Sequence, residues 1–173
     1  MKLVAALLAS SLLTAGHFTR LHFSQSDKPQ PDSTIGIKIP PGYRDWPLIT
    51  VAHEEGKLND LRAILGNKAA IQAFRKGKRP FPDGTIIARL AWDYSSSPEN
   101  NKAFGQQQSF VAGHPKNGLQ FMVKDTKKYA LTDGWGYVQF NEGKPASNLV
   151  HATCAPCHQA AKERDFVFST YAP

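Results

Sequence analysis

Near the end of the chain stands HATCAPCHQAAKERDF, residues 151–166, which holds both of its cysteines, Cys154 and Cys157, with His158 directly after the second. Any fold this sequence adopts must present two thiols and an imidazole together, late in the chain. Four uses of such a stretch compete. A disulfide here would close a very short loop and remove little entropy from the unfolded chain. A thioredoxin-like pair belongs at the start of a βαβ unit, and no such unit surrounds these cysteines. A structural zinc site needs about four ligands, and His151 is the only further histidine nearby. The fourth use is covalent haem attachment, of which Cys-x-x-Cys-His is the signature. Two thiols three residues apart on a helical turn reach the two vinyl groups on one edge of a haem, and the next residue brings its imidazole to the iron. The stretch points to one covalently attached haem c, with Cys154 and Cys157 as thioether tethers and His158 as the proximal ligand through Nε2.

The other end of the chain agrees with this. MKLVAALLASSLLTAGHFTR has a basic Lys2, an apolar run over residues 3–15, and small residues Thr14, Ala15 and Gly16 where a peptidase can cut. This is the pattern of a secretory signal, shorter than the roughly 20 residues of a membrane span. A retained N-terminal anchor is the alternative. Either way the folded part is expected outside the cytoplasm, in the periplasm, where c-type haem is attached. Residues 1–16 are therefore expected as signal peptide, the polar, Ser/Pro-rich residues 17–39 as a linker, and residues 40–173 as the domain.

With 41% hydrophobic and 20% charged residues, this is enough chain for one domain with a core. The net charge is +7, and the basic residues are scattered apart from RKGKRP. A solvated surface accounts for that cluster, and nucleic acid is a poor partner for an exported protein. An acidic redox partner protein is compatible with the charge.

Along the domain, WPLITV (residues 46–51) and DLRAILGN read as strands. NKAAIQAFRKG changes to helical character, with Asn67 as cap and Gly77 as stop. TIIARLAWDY is the clearest strand, flanked by the loops KRPFPDG and SSSPENNKAFG. QSFVAG, LQFMVKD and GWGYVQF are further strands, and DTKKYA is a short helix capped by Asp125. ASNLVHATCAPCHQAAKE is helical around the motif, with a kink expected at Pro156. About five or six strands with a few short helices predict an α+β domain: an antiparallel β-sheet carrying a C-terminal haem-binding helix. Small helical electron-transfer cytochromes place the motif early, so this arrangement sets the chain apart from them.

Those residues resemble the cytochrome P-460 family, which includes the β-sheet cytochromes called c′-beta. The likeness covers residues 40–173. It rests on PPGYRDWPLI, FPDGTIIARLAW, FMVKDTKKYA, GWGYVQF and CAPCHQAAKERDFVFSTYAP, the last pairing the haem motif with an aromatic segment expected as a C-terminal strand. The resemblance implies an antiparallel sheet with helices, a homodimer, and a five-coordinate haem iron whose distal side is open. It also implies a small-molecule ligand or substrate: hydroxylamine for the enzymes of the family, nitric oxide or carbon monoxide for c′-beta.

Two departures follow from the resemblance. The enzymes carry a lysine, cross-linked to the haem, on the strand after the DGT turn, and that position falls on Arg89. A guanidinium stays protonated and is a poor nucleophile, so no cross-link is expected. Alternation puts Ile87, Arg89 and Ala91 on one face, where Arg89 is either a distal donor or a half-exposed surface residue. The enzymes also use an acidic proton relay shortly before the motif. Residues 147–153 contain no carboxylate, leaving His151 either as the titratable group that takes its place or as a solvated helix residue. Met122, His53 and His114 are either core or surface residues, as the open position implied by the resemblance favours, or candidates for a sixth iron ligand. Phe74, Phe81, Trp92, Phe110, Phe121 and Phe140 either wall the haem or fill the core. The leading reading is a protein that binds or converts a small nitrogen species at an open iron. The alternatives are a six-coordinate electron carrier and a metal-free domain with a local disulfide.

Overall fold

The computed structural model of the protein describes residues 36–172. The expected signal peptide and most of the expected linker lie outside the described residues. At the linker's end, Ile37 and Ile39 pack against the sheet.

Seven strands form one antiparallel sheet. They are β1 (Leu48–Glu54), β2 (Asp60–Gly66), β3 (Ile86–Ser96), β4 (Phe110–Pro115), β5 (Leu119–Lys124), β6 (Trp135–Asn141) and β7 (Lys144–Pro145). Their order is β1-β2-β3-β5-β6-β7, and β4 also pairs with β3. The long β3 explains this: its first half pairs with β5 (Ile86 opposite Val123) and its second half with β4 (Ser96 opposite Phe110). β4 and β5 thus run end to end along one neighbour, separated by a kink at Lys116–Gly118. There Asn117 and Gly118 both have positive φ, 57° and 62°, and a Cβ on Gly118 would lie 2.5 Å from the Phe140 carbonyl oxygen.

Period-two alternation divides the side chains between two apolar faces. One carries Ile49, Ile64, Ile87, Trp135 and Tyr137 and is covered by α1 (Lys68–Arg75), by Phe81 and by Phe166 and Val167. Cys154 and Ala155 of the motif pack on this side, called here the motif face. The other face carries Leu65, Ala88, Leu90, Phe121, Val138 and Phe140 and is covered by Tyr43 and Trp46, whose rings meet Phe121 edge-on. Each large side chain taken fully out of water contributes about 1.5–3 kcal/mol. The α1 cap is as expected: Asn67 Oδ1 accepts from the Ala70 N–H at 2.9 Å, and the helix buries Ala70, Ile71, Ala73 and Phe74.

The structure corrects four local expectations. Part of SSSPENNKAFG, read as a loop, is a helix, α2 (Pro98–Phe104), capped by Ser97 with Pro98 in its first turn and Gly105 as its left-handed stop. It buries none of its residues, so hydrophobic periodicity carried no signal. DTKKYA is a turn, in which Asp125 Oδ1 accepts from the N–H groups of Lys127 and Lys128, and a 3-10 turn follows only at Ala130–Thr132. The helix around the motif breaks at Ala152–Thr153, between α3 (Asn148–His151) and α4 (Cys154–His158). Pro156 lies in the first turn of α4, where its missing N–H costs nothing. The aromatic C-terminal segment is not a strand. Asp165 and Phe166 are both left-handed, and one hydrogen bond, Ala172 N–H to the Ile49 carbonyl at 2.9 Å, joins the segment to β1.

Gly118 provides a test of the kink between β4 and β5. Gly118→Ala combines a positive φ with a backbone clash, so it should destabilise the fold by more than about 1 kcal/mol, measured as a lower urea midpoint. Gly143→Ala, with positive φ but open space around it, should cost less.

Candidate functional site

The motif forms a short helix against the sheet. Cys154 and Cys157 lie one turn apart on α4, so both side chains project from the same side of the helix. Both thiols are free. Cys154 is half-buried and Cys157 exposed, and burial, with Cys157 adding to it, pushes the Cys154 thiol above its ordinary pKa. Cys154 Sγ donates weakly to the Val150 carbonyl at 3.7 Å.

His158 sits between aromatic rings, its centroid 4.8 Å from that of Tyr137 and 5.2 Å from that of Phe168. Its Nδ1 is 2.7 Å from the Phe166 carbonyl oxygen. A carbonyl can only accept, so Nδ1 carries the proton and Nε2 presents its lone pair. Burial depresses the imidazole pKa, and the Phe166 hydrogen bond partly offsets this. A neutral ring with Nδ1–H held by a carbonyl is the form in which histidine ligates metals.

The Phe166 carbonyl reaches His158 because the chain reverses there. Asp165 (φ 52°) and Phe166 (φ 63°) are consecutive left-handed residues. Aspartate tolerates that region, whereas a bulky phenylalanine does so at a cost of about 1–2 kcal/mol. Asp165 is held from two sides. Its Oδ2 accepts from the Phe81 N–H at 2.7 Å, and its Oδ1 accepts from Lys124 Nζ at 2.8 Å. Lys124, at the end of β5, is the buried lysine among the described residues and also lies over the Trp135 ring at 4.9 Å.

His151 is buried, not solvated. Its Nε2 lies 3.1 Å from the Gln139 backbone nitrogen and 3.3 Å from the Gln139 oxygen. The shorter contact has the N–H donating, which leaves the proton on Nδ1, a buried atom with no partner among the described residues. Its only lone pair is thus turned to β6.

Arg89 lies on the motif face: its cross-strand neighbours are Ile64 and Gln120. It is neither a free surface residue nor an isolated cation. Its Nη2 donates to Asp60 Oδ2 at 2.7 Å and its Nη1 to Gln120 Oε1 at 3.2 Å. Asp60 is wholly buried and also binds Arg62 through Nε (2.8 Å) and Nη2 (3.1 Å). Gln120 Nε2 continues the row to Gln139 Oε1 at 2.8 Å. Burial and Arg62 lower the Arg89 pKa, while Asp60 raises it.

Sequence reading missed Asp60, Arg62, Gln120 and Gln139. Their signal is alternation: Asp60 and Arg62 share a face with Ile64, as Gln120 and Gln139 do with Met122 and Tyr137. It missed Trp135 and Tyr137 as well. Of the six aromatics expected as wall or core, Phe74 and Phe81 join the motif-face cluster. Phe121, Phe140 and Trp92 pack on the opposite face, and Phe110 is exposed. Of the candidate sixth ligands, His114 is exposed beside Asp93. His53 pairs with Leu61 and so lies on the far face, against Tyr94. Met122 is on the motif face, opposite Tyr137.

The residues fit a covalently held haem. Two free thiols stand one turn apart, and the imidazole that follows makes no hydrogen bond through Nε2 among the described residues. Trp135 Nε1 and His151 Nδ1 are buried N–H groups without an acceptor among the described residues, a cost of about 1–3 kcal/mol each that carboxylate-bearing groups of such a cofactor can relieve.

The family model described as Cytochrome P460 matches residues 40–169 of the chain. No curated protein matches the chain.

The buried carboxylate gives the prediction here. Asp60→Ala removes the buried carboxylate that two guanidinium groups share, so it should cost about 3–5 kcal/mol of stability, read from urea unfolding. Glu54→Ala, which removes only an exposed 3.4 Å contact to Arg62, should cost under about 1 kcal/mol.

Proposed function

The chain belongs to the cytochrome P460 family of c-type haem proteins, and on that premise we propose that it is an exported, single-haem protein that binds or converts a small nitrogen species, hydroxylamine or nitric oxide, at an open iron. The observation that carries this is His158: Nδ1 is engaged by the Phe166 carbonyl at 2.7 Å, and Nε2 is without a hydrogen bond among the described residues, directly after the second of two free thiols. Cys154 and Cys157 hold the haem through thioethers, and His158 Nε2 ligates the iron. Haem, when bound, would supply an iron that takes a small ligand and exchanges single electrons.

The chain's own residues do the rest. Tyr137 and Phe168 fix the imidazole plane, and the Phe166 carbonyl keeps its tautomer. Support for an open sixth position comes from His53 on the far face and His114 in solvent. A six-coordinate electron carrier would draw on Met122.

Arg89 takes the place where the resemblance puts the cross-linking lysine. Its guanidinium, anchored by Asp60 and Gln120, is a fixed cation that favours negative charge on a bound ligand. It cannot serve as a base, and His151 spends its lone pair on the Gln139 N–H. Both observations weigh against the full hydroxylamine-oxidising mechanism. Homodimerisation and a redox partner protein belong to the same proposal.

The first test is the haem itself. The purified protein should have the mass of its polypeptide plus one haem, with no further cross-link, and the pigment should survive acid-acetone extraction. Cys157→Ala should weaken retention. The ferrous form should show a high-spin spectrum of ordinary c type. Freely extracted haem would sink the proposal, and a low-spin six-coordinate spectrum would favour the carrier.

The second test is Arg89→Leu. It should weaken nitrite or peroxide reaction by about 1.5 kcal/mol or more, yet leave carbon monoxide affinity within a factor of about two. Equal response of both ligands would remove Arg89 from the distal side.

A further inference from the structure

We propose that Lys124 and Asp165 are positioning residues for the proximal imidazole: their buried ion pair fixes the left-handed turn that aims the Phe166 carbonyl at His158. The inference rests on the reading of His158 as iron ligand.

The turn is held from outside itself. Phe166 does not adopt positive φ by preference, and strain of that kind persists only where the surroundings over-determine it. Here they do. Within the turn, the Phe166 N–H donates to the Ala161 carbonyl at 2.9 Å and the Asp165 N–H to the Lys162 carbonyl at 2.9 Å. From the sheet, Lys124 Nζ reaches Asp165 Oδ1 at 2.8 Å, while also donating to the Asp133 carbonyl at 3.2 Å. From the segment before β3, the Phe81 N–H reaches Asp165 Oδ2 at 2.7 Å. The Phe166 side chain is itself buried in the motif-face core.

The pair is also an unusual use of charge. A buried lysine and aspartate, with side chains 4% and 9% exposed, add little stability over apolar residues of the same size. Their geometry is specific, however, and lies one residue from the carbonyl that holds His158. Asp165 is thus locked to β5 and to the Phe81 segment, and the next carbonyl in the chain is aimed at Nδ1 at 2.7 Å. An Nδ1–H held firmly in such a bond makes Nε2 a stronger donor to iron, which favours the ferric state and lowers the reduction potential.

The test uses the haem-loaded protein and three variants, Asp165→Ala, Lys124→Met and Asp165→Asn. The readouts are the iron–histidine stretching band of the ferrous form, the reduction potential and the thermal midpoint. In Asp165→Ala both anchors are lost. The stretching band should fall and broaden, and the potential should rise by about 59 mV, the equivalent of a tenfold change in the ferric-to-ferrous equilibrium. Lys124→Met should move both in the same direction by less, because the Phe81 N–H still holds the carboxylate. Asp165→Asn, whose single amide oxygen can accept from only one of the two donors, should fall between Asp165→Ala and the wild type. A merely structural pair would lower the thermal midpoint and leave band and potential unmoved in all three, and that result overturns the assignment. If Asp165→Ala does not load haem, an unmoved Lys124→Met overturns it instead. Wild-type protein without covalent haem overturns the functional reading itself, and this assignment with it.

Discussion

A carboxylate taken out of water must find its positive charge inside the protein, and two such carboxylates organise the motif face of this sheet. Asp60 gathers Arg62 and Arg89, tying β2 to β3 through side chains as well as through the strand ladder. Asp165 binds Lys124 of β5 and the Phe81 N–H, tying the segment after the motif to the sheet. The same face carries the apolar cluster that includes Ile87 and Tyr137, against which Met122, Cys154 and Ala155 pack. The apolar surface supplies affinity between helix and sheet, while the two ionic anchors, which are directional, set where each backbone segment stops.

The Asp60 anchor gives Arg89 a different character from that of a lysine at the same position. A lysine presents one nitrogen at the end of a flexible stem and can lose its proton. Arg89 presents a planar fork, two arms of which are occupied by Asp60 and Gln120, so its direction is fixed and its charge shared with a carboxylate. On the proposed correspondence, the exchange replaces a reactive group by a preorganised electrostatic one. Such a group acts most on ligands that carry or develop negative charge. The row continues through Gln120 to Gln139, whose backbone N–H meets His151, so the polar groups from Asp60 to Gln139 form one row, separate from the Lys124–Asp165 pair.

The sequence displayed some parts of this structure more openly than others. β3 was legible because TIIARLAWDY alternates over a long run, and α1 because Asn67 caps a stretch that switches to helical spacing. The motif stood out in the sequence because its proposed chemistry depends on spacing alone. α2 was not, since it buries nothing and its helix rests on Ser97, Pro98 and Gly105 at its ends. The turn at Asp125 reads like a helix start because the same side-chain oxygen accepts from the same N–H groups in either structure. Asp60 was overlooked for a different reason. Nothing local marks a strand-end aspartate as buried, and its second partner, Arg89, is 29 residues away.

That difference separates what the tether needs from what the ligand needs. The thiols and the imidazole sit within one turn of chain, and helices as short as α3 and α4 are not stable alone. Their spacing is a local property that any conformer of the segment retains. Orientation of the imidazole is not local. The Phe166 carbonyl is eight residues from His158, the Lys124 contact to Asp165 spans 41 residues, and the Phe81 contact spans 84. Contacts of that separation form only when the sheet is in place, because their loop-closure entropy must be met first. If the proposed roles hold, the chain carries its attachment chemistry in a short stretch and its ligand geometry in the completed fold. On the proposed reading, the attachment rests on sixteen letters of sequence, and the geometry on the pairing of β5 with β6 and the turn that closes against it.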